Sequence, residues 1–330
     1  MIKKLLSVLA FSIFLMFLSV GTIFANSKNM GMHILHPEEV SKVREVYDDE
    51  DWRFVVIPLT LEDTQNWRRW QNFFDQAYLE KLIPIIRLST RYNAVVDAWE
   101  IPNRKDIIDL ANFLSSLDWH QDEKFVIIFN EVNHAKEWGG TIDPLLYSRV
   151  LRFSSNWFHS EGLNYKILPA AMDLAADNGF ETMEAFAYLN SLYKNDPEVF
   201  SYIDYWNSHA YPNPGFQSSP EAIGQNSLSG FKYELNYLKN KTGKDFQVFI
   251  TETGWVSTYR TNYFLDDYYL YALQHIWSDE RVRTVAPFVL KGSPGPFSAF
   301  SFFDANDNPT VQTFALQKAM KAANGLDLEF

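Results

Sequence analysis

From residue 31 onward, short unbroken apolar runs alternate with longer stretches whose apolar residues recur every three or four positions. The short runs read as strands buried on both faces, and the longer stretches as amphipathic helices. Candidate strands are Gly31–Leu35, Phe54–Pro58, Ile83–Leu88, Phe125–Phe129, Lys166–Ala170, Tyr202–Trp206, Gln247–Ile250 and Thr284–Leu290. Candidate helices are Pro37–Tyr47, Thr64–Leu82, Lys105–Leu117, Pro144–Ser160, Thr182–Tyr193, Ser229–Lys239, Asn262–Trp277 and Thr310–Ala323. Eight strands, each followed by a helix, predict an α/β fold that closes into one (β/α)8 TIM barrel. An open doubly wound sheet accepts the same alternation but usually carries a Gly-rich phosphate turn after its first strand. His33-Ile34-Leu35-His36-Pro37 is no such turn. No internal repeat or Ser/Gly-rich linker interrupts the pattern, so residues 26–330 are expected to form a single domain.

The first residues stand apart from this alternation. Lys3-Lys4 precede an almost unbroken apolar run from Leu5 to Val20, and Ile23-Phe24-Ala25 ends in a small residue. Residues 1–25 therefore read as a secretory signal peptide cleaved after Ala25. The run is also long enough to serve as an uncleaved membrane anchor. The expected location is extracellular, by secretion or, with the segment retained, by anchoring at the cell surface.

Composition narrows the function. The 330 residues are 47% hydrophobic and include 27 Phe, 17 Tyr and 10 Trp, which supplies a large core with aromatic rings to spare for a sugar- or ring-binding surface. A formal net charge of -12 argues against a nucleic-acid partner, since a phosphate backbone favours basic surfaces. Cysteine is absent, which removes thiol nucleophiles, thiolate metal sites and disulfides from consideration. The fold must then rest on core burial, which a chain of this size supports as a monomer.

Two strand candidates end in glutamate. Phe125–Phe129 leads into Asn130-Glu131, and Val248-Phe249-Ile250 leads into Thr251-Glu252-Thr253-Gly254-Trp255. The C-terminal ends of barrel strands are where this fold gathers its chemistry, and these are strands four and seven of the eight. Hydrolysis of a glycosidic bond needs one carboxylic acid to protonate the leaving oxygen and a second carboxylate on the opposite face. The nucleophile must stay ionised, which calls for a nearby donor or cation, and Arg87 at the end of strand three is the best candidate cation. Three long connections rich in Pro, Gly or Asn, at Arg91–Arg104, Pro212–Ser227 and Lys291–Asn308, also follow strands and would shape the binding face.

With Ser208-His209-Ala210-Tyr211-Pro212 between them, Phe129-Asn130-Glu131 and Ile250-Thr251-Glu252-Thr253-Gly254-Trp255 resemble the signature positions of the clan of retaining (β/α)8 glycoside hydrolases, clan A. That clan includes cellulases, mannanases and exo-glycosidases, and the resemblance spans essentially the whole chain after residue 25. It implies Glu131 as general acid/base, Glu252 as nucleophile, and Asn130 as the partner of the sugar 2-hydroxyl. It implies that Tyr211 donates to Glu252 and that His209 lines the same site. The sequence departs from the clan at two places. Strand two, Val55-Val56-Ile57-Pro58-Leu59-Thr60, lacks the arginine many members carry there, and Arg87 is the candidate substitute. Strand eight, Ala286-Pro287-Phe288-Val289-Leu290-Lys291-Gly292, lacks the tryptophan that commonly underlies the reacting sugar.

Loop aromatics that follow strands are candidate sugar platforms: Trp99, Trp138, Trp255, Tyr259, Phe297 and Phe300. Trp138 and Trp255, close to the two glutamates, lead that group. Asp173 and Asp177 follow strand five, within reach of a substrate hydroxyl or a cation, but read first as caps or solvated residues. His33 and His36 are three apart, which points them to different faces of an extended strand. A catalytic metal is therefore not expected, nor any cofactor, and His33 is expected to line the pocket or the core. The activity expected is a retaining O-glycosyl hydrolase acting on a poly- or oligosaccharide, with a β-linkage. The alternative is an extracellular barrel that binds glycans without cutting them, which the missing arginine and tryptophan would allow.

Overall fold

In the computed structural model, residues 29–47 and 49–325 are described. The segment read as a signal peptide lies outside them. Eight parallel strands run in chain order around a barrel: β1 (Met32–His33), β2 (Arg53–Leu59), β3 (Leu82–Leu88), β4 (Lys124–Ile128), β5 (Tyr165–Pro169), β6 (Trp206–Ser208), β7 (Val248–Thr253) and β8 (Val282–Pro287). Strands β1 to β5 pair continuously, as do β6 to β8. Two thinner seams close the ring. Met30 bridges Val285 between the first and last strands, and Asp173 bridges His209 just beyond β5 and β6. Gly31 sits in the first seam, where a Cβ would meet the Phe54 carbonyl oxygen at 2.6 Å, so only glycine permits that close approach.

Alternation along each strand sorts side chains between two cores. On β3, Leu82, Ile86 and Leu88 face the surrounding helices, while Ile83 and Ile85 face the barrel axis. On β2, Val55, Ile57 and Leu59 face outward and Phe54 and Val56 inward. The floor of the barrel is an aromatic plug. Phe54, Phe125, Tyr205 and Phe249 meet with ring centroids 5.1 to 6.0 Å apart. Burying each such ring contributes about 1.5–3 kcal/mol. The plug fills the N-terminal end, so the inward-facing residues beyond it open toward the C-terminal mouth.

The helical layer follows the predicted order with shifted ends. Pro144–Ser160 forms as expected, entered through Asp143, whose carboxylate accepts from the Leu146 amide. Asn103 and Asp106 form a reciprocal capping box ahead of Arg104–Ser115. The first predicted helix is instead a 3₁₀ segment over Pro37–Val46. The region predicted as one helix over Thr64–Leu82 is a 3₁₀ turn at Glu62–Gln65 followed by the helix Trp67–Leu79. No helix among the described residues is long and apolar enough to cross a membrane.

The largest correction concerns β6. It was expected at Tyr202–Trp206 but begins at Trp206, whose amide donates to the Gln247 carbonyl. Residues Tyr202–Tyr205 are drawn into a turn because Asp204 accepts from the Ile167 amide at 2.7 Å while its own amide donates to the Ile167 carbonyl. Sliding the strand toward the C-terminus places Asn207, His209 and Tyr211 in one inward-facing series with Tyr205.

Candidate active site

Side chains from the ends of several strands converge at the barrel mouth on one cavity of about 650 Å³. Arg87, two residues beyond the inward-facing Ile85, follows the alternation of β3 into this space. Pro58 does the same on β2, and Phe288 follows Thr284 and Ala286 off β8.

Glu252 reaches the cavity by a different route. Between Val285↔Ile250 and Pro287↔Thr253, two steps on β8 are matched by three on β7, so β7 holds one extra residue there. Ile250 faces outward, and strict alternation would send Glu252 the same way. The register irregularity turns it into the mouth instead, as bulges beside active sites commonly do. On the opposite side, Phe129 and Glu131 take positive φ values of 69° and 25°, which breaks the alternation after β4. Phe129 thereby packs outward against Trp138, with centroids 5.9 Å apart, and Asn130 and Glu131 face the cavity.

The two carboxylates stand close. An oxygen of Glu131, an oxygen of Glu252 and a ring nitrogen of His209 all lie within 4.8 Å of one another. Glu252 is densely held: Arg87 Nη1 donates to Oε1 at 2.5 Å and the Tyr211 hydroxyl donates to Oε2 at 3.1 Å. His33 Nε2 lies 3.4 Å from Oε1, and His209 Nδ1 lies 3.8 Å from Oε2. Burial alone would raise the Glu252 pKa, but His209 and the Arg87 guanidinium outweigh it and hold it down to about 2. Glu252 is thus an anion at any ordinary pH. Arg87 Nη1 also donates to Asn130 Oδ1 at 2.9 Å, which fixes the amide next to Glu131.

His209 Nδ1 pairs with Glu131 Oε1 at 2.8 Å. Burial works to lower its pKa, yet the neighbouring Glu252 and Glu131 carboxylates raise it above the ordinary value. His33 is fully buried, with its ring edge against Phe288, and burial drives its pKa down to about 3, so it is a neutral imidazole. Both histidines lie beneath the carboxylates and support them; neither lines the cavity itself.

Trp138 and Trp255, the leading candidates for sugar platforms, do not reach the cavity. Trp138 is fully buried between Phe129 and Tyr147. Trp255 donates its indole N–H to the Ser218 carbonyl at 2.8 Å and packs on Tyr268, Tyr269 and Trp277. Both rings turn toward the helical layer, where burial of a large apolar surface outweighs exposure at the mouth. Tyr259 stands in solvent at the start of a helix, away from the cavity.

The cavity's apolar wall comes from other rings. Phe288 occupies the end of β8, where a tryptophan was missed in the sequence. Phe297 lies 5.0 Å from it, Phe216 packs 4.9 Å from Tyr211, and Phe300 lies 5.3 Å from Phe216. Trp99, from a two-stranded hairpin after β3, borders the opposite side.

Sequence reasoning also missed a polar group in the loop after β4. His134 and Glu137 line the cavity, and Asp173, read as a cap, joins them from the loop after β5. His134 Nε2 and Asp173 Oδ2 are 2.9 Å apart, a hydrogen bond that raises the histidine's pKa. Buried Asn133 latches the two loops, donating to the carbonyls of Asp173 and Met183 and accepting from the Asp173 amide. The signal for Glu137 was present as a second carboxylate six residues beyond Glu131, but its direction depends on the short 3₁₀ turn Ala135–Glu137.

The trio Glu131, His209 and Glu252 offers three ligand atoms at a spacing a divalent ion could span. Arg87 and Tyr211 already bond both oxygens of Glu252, and an added cation would face the guanidinium. The donor set fits an ionised carboxylate better than a metal ligand.

The sequence matches no protein-family model and no curated protein at a significant level. Solved structures do match. A family 39 glycoside hydrolase from Bacteroides cellulosilyticus WH2 superposes with a TM-score of 0.61 at 14% identity, over 92% of this chain and 64% of that one. A glucosidase from Croceicoccus marinus gives 0.65 at 7% identity, over 90% and 68%. A family 1 β-glucosidase from Thermotoga maritima gives 0.53 at 12%, over 89% and 87%. The chain thus shares the fold of these structures, while spanning under two thirds of the family 39 protein's length.

Proposed function

We propose that this protein is a retaining glycoside hydrolase in which Glu252 is the nucleophile and Glu131 the general acid/base. The observation that carries the reading is the carboxylate pair formed by Glu131 just after β4 and Glu252 on β7, with oxygens within 4.8 Å of each other. Retaining enzymes hold their carboxyl groups about 5–5.5 Å apart, whereas inverting enzymes leave about 6.5–9.5 Å for a water molecule.

The surrounding groups fit these roles. Glu252, ionised by Arg87 and His209, attacks the anomeric carbon as Glu131 protonates the departing oxygen. A covalent glycosyl ester on Glu252 forms and the aglycone leaves with that proton. Glu131, now a carboxylate, takes a proton from water, which attacks the same carbon and frees Glu252. Asn130, fixed by Arg87, is placed to hold the sugar 2-hydroxyl, and Phe288 offers the apolar face under the ring. The substrate class proposed is a β-linked poly- or oligosaccharide, met outside the cell by a monomer exported through residues 1–25. Similarity to the structures named above, a glucosidase and a β-glucosidase among them, supports the carbohydrate assignment.

A purely glycan-binding barrel drew its support from the missing strand-two arginine and strand-eight tryptophan. Arg87 contacts Glu252 directly and Phe288 lines the cavity, which favours catalysis over binding alone. Purified protein assayed on aryl β-glycosides and polysaccharides tests the reading. Glu252→Ala is expected to abolish turnover, with azide restoring cleavage of an activated aryl glycoside only. Full activity in that variant, or ligand binding by the wild type with no product from any substrate, would overturn it.

A further inference from the structure

Glu137 is a carboxyl that the double-displacement cycle above leaves unused, although it lines the same cavity. It ends the 3₁₀ turn after β4 and lines the cavity together with Asn130, whose Oδ1 accepts from Arg87 Nη1. No cation among the described residues forms an ion pair with Glu137. Arg87 is the only Lys or Arg lining the cavity among the described residues, and its Nη1 is committed to Glu252 and Asn130. The cavity's other imidazole, His134, is held by Asp173.

Such a carboxyl has two consequences. Its carboxyl oxygens face the cavity beside Asn130, the proposed partner of the sugar 2-hydroxyl, where a ligand's hydroxyls can donate to them. A pair of ring hydroxyls is the donor set that a sugar brings. Moreover, a substrate carboxylate or sulfate would enter a cavity whose one guanidinium already pairs with Glu252, and would stand beside the Glu131 and Glu137 carboxyl groups with no further Lys or Arg in the lining among the described residues.

We infer that Glu137 is a specificity-determining residue that accepts hydroxyl hydrogen bonds from the reacting sugar and restricts the substrate to neutral glycosides, excluding uronic acid and sulfated sugars. The inference rests on the glycoside hydrolase reading. Burial and the Glu131 charge also raise the Glu137 pKa to about 7.

The test uses 4-nitrophenyl β-glycosides of glucose, galactose, mannose, xylose and glucuronic acid with the full protein. At least one neutral glycoside should be cleaved, and the glucuronide at least about 100-fold more slowly by kcat/KM. Glu137→Ala should raise KM for the neutral substrate about 10- to 100-fold with a smaller change in kcat, and Glu137→Gln should recover part of it. For the 3-, 4- or 6-deoxy analogue lacking the partner hydroxyl, wild type and Glu137→Ala should converge, which a general loosening of the loop would not produce. A glucuronide cleaved as fast as the neutral sugars overturns the inference while leaving the hydrolase reading intact. So does a KM within twofold of wild type in a folded Glu137→Ala. Absence of cleavage of any glycoside instead overturns the hydrolase reading and the inference with it.

Discussion

Replacing Arg87 with Met keeps the length and apolar stem of the side chain and removes the guanidinium that touches Glu252. Two unit charges about 4 Å apart interact by about 4 kcal/mol at the effective dielectric typical of protein sites. At about 1.4 kcal/mol per pKa unit, the lost attraction corresponds to about 3 units if nothing compensates. His209 and the Tyr211 hydroxyl remain on Glu252, and together they reduce the expected rise to about 2 units. The wild-type carboxyl sits at about 2, below the range in which the protein is easily assayed. In the variant it should climb to about 4 or above, inside that range. The assay is kcat/KM for an activated aryl β-glycoside from pH 3.5 to 8, with circular dichroism at each pH to confirm folding. Wild type should be flat on its acid side down to about pH 4, while Arg87→Met should show a new acid limb. Asn130 also loses its anchor, so activity at the optimum should fall about 100-fold. An acid limb that does not move, in a variant that stays folded, would refute the claim that Arg87 holds Glu252 ionised.

Two further perturbations probe the frame around the site. Glu234 is fully buried, takes a 2.5 Å bond from the Ser208 hydroxyl, and is pushed by burial up to about 7. A pKa raised by folding gives stability that is fully present below about 4.5 and lost as pH rises through 7. The wild type should therefore lose about 3 kcal/mol between those limits, and Glu234→Gln should flatten that slope in melting curves from pH 5 to 8. An unchanged slope would discount the buried carboxyl. Trp255→Phe, which removes the indole bond to Ser218, should lower stability by about 1–2 kcal/mol while leaving KM within twofold. A large KM change there would restore Trp255 to the substrate surface.

The pattern of apolar runs was enough to place seven of the eight strands and most helices, because parallel barrel strands are buried on both faces and announce themselves as continuous apolar segments. It failed at Tyr202–Tyr205, where an apolar run serves a turn fixed by Asp204 and Ile167, a contact between residues far apart in sequence. The site was legible through motifs more than through periodicity. Glu252 lies on the wrong parity of β7 and enters the cavity only through a local register shift with β8, and Glu131 depends on positive φ values that no residue type there announces. Trp138 and Trp255 were misplaced because proximity in sequence to a glutamate says nothing about which way a ring turns. The loop residues His134, Glu137 and Asp173 were not legible for a related reason. Their convergence depends on Asn133 latching two loops together.

The stereochemistry of the first product formed tests the paired-carboxylate account most directly. Proton NMR during hydrolysis of an aryl β-glycoside, before mutarotation, should show the β-anomer accumulating first, as two successive inversions at the anomeric carbon require. An α-anomer appearing first would mean a single displacement by water, and would contradict the assignment of Glu252 as the nucleophile.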